Sequence, residues 1–273
     1  MPLSRRLIVG VSRNQPRSAT QDWQGALARG IEAGLGSEVS VEVTADYDQL
    51  LQKTISSAVD AAWLPPLLHA RAAQESARLV ALPQRGGWLT FRSALLVRKE
   101  DQTRDVGSLR GARAAWRDRN SASGYLFPRL ELAAKGAPPE KAFSSEKFYG
   151  SVSEAAEAVV RGEADVCTCF VTDPAAGDPS RARVEIEQTL GPLAQSLRIL
   201  HVTDPIPPDG FVVAPGISDA ERGLVTAALL DLHKSEAGRR ALADVLQAER
   251  LAPVNDALLR SLRSWSAAAA ARA

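Results

Sequence analysis

Apolar and polar positions along this chain follow two periods. RRLIVGVS (5–12) is a short apolar run and predicts a first β-strand ending at Ser12. In DWQGALARGIEAGLG, Trp23, Leu27, Ile31 and Leu35 recur at steps of four, which predicts a helix, and Gly34 and Gly36 give its stop signal. EVSVEVT alternates and predicts a second strand; ADYDQLLQKTISS predicts a helix with Asp46 or Asp48 at its cap. AVDAAWLP predicts a buried strand ending at Pro65–Pro66, PLLHARAAQESA a helix, and RLVALP a further strand. Strand, helix, strand, helix, strand is the α/β pattern and predicts parallel pairing. Ligands in such sheets bind at the carboxyl ends of strands, which directs attention to Ser12, Tyr47 and the residues after Trp63.

The pattern then repeats. FRSALLVRKED predicts a long apolar strand, SLRGARAAWRD a loop and a strand, and YLFPRLELAAKG a helix with Pro128 in its first turn. GAPPEKAFSSEKFYGS reads as a loop, and VSEAAEAVVRGEADVCTCFV as a helix, a stop at Gly162 and a strand. LRILHVTDPIPPDGFVVAP returns as strands around a proline-rich connection, and DAERGLVTAALLDLHKSEAGRRALADVLQ closes as two helices. The final SAAAAARA is expected to fray. The expected architecture is α/β, with two lobes joined by two crossing strands. Residues 1–92 and 213–273 form lobe I, residues 93–212 form lobe II, and a ligand cleft is expected between them.

Composition narrows the function. The 273 residues carry 33 Lys+Arg against 32 Asp+Glu, a net charge of +1, and the basic residues are scattered. That excludes a nucleic-acid surface. No apolar run approaches a membrane span, so no membrane insertion is expected. Leu7–Val11 is too short for a signal-peptide core; the chain as written is therefore expected to be cytoplasmic, or a leader has been removed. Cys167 and Cys169 lie two apart on an expected buried strand and read as small core side chains; His69, His201 and His233 are far apart in sequence. No metal site or cofactor is expected. No nucleophile elbow, phosphate-binding loop or metalloprotease motif is present, so catalysis is the least favoured class.

One stretch carries chemistry. In RDRNSASGYLFP, Asn120, Ser121, Ser123 and Gly124 stand directly before an apolar helix. Small hydroxyl residues there cap the first N–H groups, which alone explains them. The same N–H groups, at the positive end of the helix dipole, also make an anion site.

ADYDQLL, VDAAW, FRSALLVRKED, SLRGARAAWRDRNSASGYLFP, RGEADVCT and LRILHVTDPIPPDGFVVAP come in the order and spacing of a known family. Across 46–215 the chain resembles the substrate-binding proteins of phosphonate, phosphite and phosphate ABC transporters, which have the type II periplasmic binding fold. The resemblance implies a small oxyanion ligand, a permease partner, no enzymatic activity, a monomer, and a periplasmic location if a leader was cut away. It implies that Ser121, Ser123 and the N–H groups through Gly124 and Tyr125 hold the oxyanion, with Tyr47 and Asp209 contributing and Asp209 orienting a cationic tail. Three positions depart from the family. Ala122 stands where threonine is usual, Leu64 follows Trp63 where several members have tyrosine, and Ser151 stands where phosphonate binders tend to have histidine. Each hydrogen bond lost to a charged group costs ~1.5–3 kcal/mol; Arg13 and Arg92 are the cations expected to compensate.

Each of these residues also has a plainer reading. Tyr47 fits a core or rim position, Trp63 a packed core, Asp209 a solvated turn, Arg92 a structural ion pair, and Ser151 a helix cap. A second functional reading is a cytoplasmic oxyanion-sensing module that signals through a sensor kinase.

Overall fold

The computed structural model describes residues 3, 5–13, 22–119, 121–173, 177–255 and 258–260. Asn120, most of the expected loop before Trp23 and the C-terminal SAAAAARA lie outside the described residues. The chain divides into two compact units, one running up to Leu89 and resuming at Pro207, the other Thr90–Ile206.

The first unit opens with β1 (Leu7–Ser12), α1 (Trp23–Leu35), β2 (Val39–Thr44), α2 (Tyr47–Ile55), β3 (Ala61–Leu64), α3 (Pro66–Gln74) and β4 (Arg78–Gln84). Asp22 caps α1 by accepting from the Gly25 N–H, and Gly36, at φ 68°, closes it in the left-handed region. Asp46, not Asp48, caps α2. The second unit holds β5 (Phe91–Arg98), β6 (Arg113–Trp116), α4 (Phe127–Ala134), α5 (Pro139–Ala142), β7 (Ser145–Phe148), α6 (Val152–Val160), β8 (Val166–Thr172), α7 (Pro179–Leu190) and β9 (Leu197–Val202). The chain then returns to the first unit with β10 (Gly210–Val213), α8 (Asp219–Leu230), α9 (Glu236–Ala241) and β11 (Arg250–Pro253).

The first sheet has the order β11-β4-β10-β3-β1-β2. Only β2, β1 and β3 pair in parallel; β10 runs antiparallel to both β3 and β4, and β11 antiparallel to β4. The expectation of parallel pairing therefore fails at β4, because the returning strand β10 inserts beside β3 and takes the place β4 would have had. The second sheet has the order β7-β6-β8-β5-β9, with β6 parallel to β7 and β8, and β5 antiparallel to β8 and β9.

Both sheets are covered on two faces, and the period-two alternation assigns side chains to them. Leu7, Val9 and Val11 join the core beneath α1, whereas Ile8 packs on the opposite cluster around Leu50 and Val59. In the second unit Ala94 and Leu96 face α6 and α7, while Leu95 and Val97 face Trp116 and Leu132. Cys167 and Cys169 share the first of these faces; burial raises both thiols, Cys169 to about 11, so they are inert core residues at neutral pH.

Candidate functional site

In each sheet one strand is flanked by two parallel neighbours reached in opposite directions. This is the topological switch point where open α/β sheets bind ligands, beyond the carboxyl ends of the strands. In the first unit that strand is β1. Its last residue, Ser12, pairs with Thr44 at the end of β2, and Tyr47 is the first residue of α2 just beyond. Leu64 ends β3 and pairs with Gly210, so Asp209, entering β10 from the other direction, lies at the same edge. The first unit therefore brings Ser12, Tyr47, Leu64 and Asp209 to one edge of its sheet. Arg13 follows β1 there and is exposed.

Their side chains differ in what they can offer. Leu64 is fully buried, packed with Leu50, Val59 and Ala72, so its side chain is core and not a ligand contact; a strand buried along its whole length turns its last residue inward too. Its carbonyl accepts from Nε2 of buried His69. Trp63 packs edge-on against Phe211 with ring centroids 4.8 Å apart, the core position expected for it. Ser12 is buried and Tyr47 half-buried. Asp209 lies in the field of Arg85, whose guanidinium donates to the carbonyls of Leu246 and Gln247.

In the second unit the switch strand is β6. The chain leaves it at Trp116 and enters a helical run at Ala122; it leaves neighbouring β7 at Phe148 and enters α6 at Val152. The two loops are tied together, with Tyr149 N–H donating to Trp116 O at 3.0 Å and Gly150 N–H to Arg117 O at 2.9 Å. Two helix starts thus stand side by side at the switch point.

They are not equivalent. Ser151 caps α6, accepting from Glu154 N–H at 3.1 Å and donating to the Glu154 carboxylate at 2.9 Å. A carboxylate in the first turn already answers the positive end of that helix. The run from Ala122 has no acidic residue in its first turn. It begins as a π-turn, Ala122–Leu126, and continues as α4. The expected helix start at Tyr125 is therefore too late by three residues, and Pro128 follows a turn already formed. Ser121 caps the run, its Oγ accepting from Gly124 N–H at 3.0 Å. Gly124 is required by close approach: a Cβ there would lie 2.6 Å from Ser121 Oγ and 2.9 Å from Arg117 Cβ.

The expected oxyanion cradle is accordingly redistributed. The Ser121 hydroxyl and the Gly124 N–H satisfy one another. The Ala122 and Ser123 N–H groups precede the first helical bonds, Leu126 N–H to Ser121 O and Phe127 N–H to Ala122 O. The Ser123 hydroxyl makes no hydrogen bond among the described residues. The Tyr125 ring packs against Trp116 and Phe148 at 5.7 and 5.0 Å, with the Arg129 guanidinium 5.1 Å above it. Arg119, exposed in the loop before the run, stacks 4.5 Å over Phe148. Farther along α4, buried Glu131 accepts from His201 Nε2 at 3.0 Å, which fixes the helix to β9. Burial would raise that carboxyl, but the bonds from His201 and the Asp204 N–H outweigh it and hold it below its usual range.

Arg92 is not available as an anion-binding cation. Its Nε donates to Asp173 at 2.5 Å and its Nη1 to Thr203 O at 2.9 Å, while Thr90 also donates to Asp173. It is a structural ion pair at the base of the strand. Among the described residues no group of His, Cys, Asp or Glu could hold a metal ion, and no helix is long and apolar enough to cross a membrane.

The sequence matches one family model over residues 8–259, that of the periplasmic substrate-binding protein of phosphonate ABC transporters. Solved structures share the fold. A Xanthomonas citri protein bound to ATP is 19% identical with a TM-score of 0.73, covering 97% of both chains. PhnD1 of Prochlorococcus marinus in complex with methylphosphonate is 17% identical with a TM-score of 0.62, covering 96% of this chain and 97% of that one. A binding-protein component of an ABC phosphonate transporter from Pseudomonas aeruginosa is 20% identical with a TM-score of 0.61, covering 95% and 85%. At these identities the likeness speaks to the fold, which is that of the type II periplasmic binding proteins.

Proposed function

We propose a function from one premise: this chain belongs to the family of periplasmic substrate-binding proteins of phosphonate ABC transporters. Such a protein presents a small-molecule ligand to a membrane permease, and the family is not an enzyme class. The finer reading is that the ligand is a small phosphorus oxyanion of the phosphonate, phosphite or phosphate type. It is held at the start of the helical run in the second unit by the Ala122 and Ser123 N–H groups and the Ser123 hydroxyl.

The observation that carries this reading is the inequality of the two helix starts at the switch point. One has its own carboxylate, Glu154; the other has no acidic residue in its first turn and offers N–H groups and a Ser123 hydroxyl that makes no hydrogen bond among the described residues. An anion placed there meets the positive end of the helix dipole and forms charge-assisted hydrogen bonds. With alanine at 122, the main chain supplies most of the donors, which suits a group recognised by shape and charge. On the first unit, Tyr47 and Asp209 stand at the carboxyl end of that unit's own switch strands.

A thermal-shift panel of methylphosphonate, 2-aminoethylphosphonate, phosphite, phosphate, sulfate and ATP tests the proposal. A ligand at 100 times its dissociation constant stabilises the fold by ~2.7 kcal/mol. A phosphorus oxyanion is expected to raise the melting temperature of the wild type clearly more than that of Ser123→Ala. A response to sulfate alone, or an equal response in Ser123→Ala, overturns it.

A further inference from the structure

The geometry points to Ser93 and Thr168 as positioning residues for the oxyanion cradle, with Pro128 as the reason they are needed; this rests on the reading of the cradle given above. In the π-turn, the N–H groups of Leu126 and Phe127 reach carbonyls five residues back, those of Ser121 and Ala122. The next donor in that series would be the N–H of residue 128, serving Ser123. In an α-helical register the same N–H would serve Gly124. Residue 128 is proline and has no N–H to give in either register.

Both carbonyls are met from the sheet instead. Ser93 Oγ donates to Ser123 O at 2.7 Å, and Thr168 Oγ1 donates to Gly124 O at 3.2 Å. Both hydroxyl residues are buried, at 0% and 2% exposure, so neither has water as an alternative partner. They come from adjacent strands: Ser93 pairs with Phe170 on β8, and Thr168 pairs with Leu95 on β5. The period of two puts Ser93 and Leu95 on one face, with Thr168 and Phe170 beside them. Ser93 is itself held, its N–H donating to Thr203 Oγ1 at 3.0 Å and its carbonyl accepting from Thr203 N–H at 2.9 Å.

These bonds act on the peptides that adjoin the donors proposed to meet the anion. The Ser123 carbonyl and the Gly124 N–H belong to one peptide plane. Ser93 holds its oxygen and the Ser121 hydroxyl holds its N–H. This plane is clamped from both ends, and the plane before it, which carries the Ser123 N–H, is held at the Ala122 carbonyl by the Phe127 N–H, so the backbone that bears the Ser123 donors is fixed on both sides. A cradle preorganised in this way binds without the cost of ordering its donors.

The test uses methylphosphonate and calorimetric titration, with melting temperatures measured in parallel on the full chain. Ser93→Ala and Thr168→Val are expected to weaken binding by about tenfold each, the equivalent of one charge-assisted bond. Thr168→Ser, which keeps the hydroxyl, is expected to bind like the wild type. Adding Pro128→Ala supplies a main-chain donor to one of the two carbonyls. The double variant with Ser93→Ala or Thr168→Val is therefore expected to recover affinity in at least one pairing, which a merely structural loss would not allow. Should Thr168→Val fail to fold, Ser93→Ala with and without Pro128→Ala decides the matter. Wild-type affinity in Ser93→Ala and Thr168→Val, alongside lost binding in Ser123→Ala, overturns the positioning role and leaves the cradle standing. Equal binding by Ser123→Ala and the wild type, or no binding by either, overturns the cradle itself.

Discussion

Gly124→Ala sets two effects of opposite sign against each other. Gly124 lies inside the helical run without a positive φ, so intrinsic propensity alone favours alanine by about 1 kcal/mol. Against that stands the space. The new Cβ would lie 2.6 Å from Ser121 Oγ, 2.9 Å from Arg117 Cβ and 3.1 Å from Ser121 Cβ, whereas carbon atoms are comfortable at about 3.5–4.0 Å. Ser121 must rotate its hydroxyl away and give up the bond to residue 124, a cap loss of about 1 kcal/mol. Arg117 Cβ is fixed by its own backbone and cannot swing aside, and overpacking of that kind costs about 1–3 kcal/mol. The net expectation is a loss of about 1–3 kcal/mol, which at about 2–4 °C per kcal/mol lowers the melting temperature by about 5 °C. Oxyanion affinity is expected to fall with it, since the displaced Ser121 releases one end of the clamped peptide. Scanning calorimetry without ligand measures the first effect. A variant as stable as the wild type, or more stable, would show that propensity wins and refute the packing argument.

Two other substitutions separate scaffold from site. His69 is fully buried, with Nε2 donating to Leu64 O and Nδ1 without a hydrogen-bond partner among the described residues, and burial depresses its pKa from 6.5 to about 4. The folded state therefore binds fewer protons than the unfolded state between those values. Stability is expected to be full above pH 6.5 and to decline as pH falls toward 4, and His69→Gln removes that slope in denaturant titrations across the range. Arg92→Leu removes the cation paired with Asp173, leaving it only the Thr90 bond, and the donor to the Thr203 carbonyl; it is expected to lower the melting temperature by several degrees while methylphosphonate affinity stays within about twofold of the wild type. A loss of affinity without a loss of stability would return Arg92 to the binding site.

The long periodic elements were legible because their burial follows their period. The four-residue stripe of Trp23, Leu27, Ile31 and Leu35 is the face α1 turns to the core. Two elements escaped for the opposite reason. β7 is an edge strand reading SEKF, polar at three of four positions, and β11 reads RLAP, too short and proline-ended to register as a strand. α7 did carry a signal, with Ala182, Ile186 and Leu190 buried at steps of four, in a segment otherwise dominated by charge. At the proposed site, SASG shows a helix start in the sequence but not the division of labour among its donors. That Ser121 keeps Gly124 N–H for itself is the same cap bond that Ser151 makes with Glu154 N–H, and the π-turn that sets which N–H groups stay open has no period to read. Ser93 and Thr168 were invisible because their role depends on the register of β5 against β8. Leu64 shows the converse: a position set by likeness to relatives need not expose its side chain.

We propose that the start of this helical run, and not that of α6, receives the oxyanion. The most direct measurement is an amide NMR titration of the assigned chain with methylphosphonate. The Ala122 and Ser123 amides are expected to show the largest saturable shifts, and the Val152 and Ser153 amides at the start of α6 to move less. Saturation with the Ala122 and Ser123 amides unmoved, or no saturable shift anywhere, would contradict it.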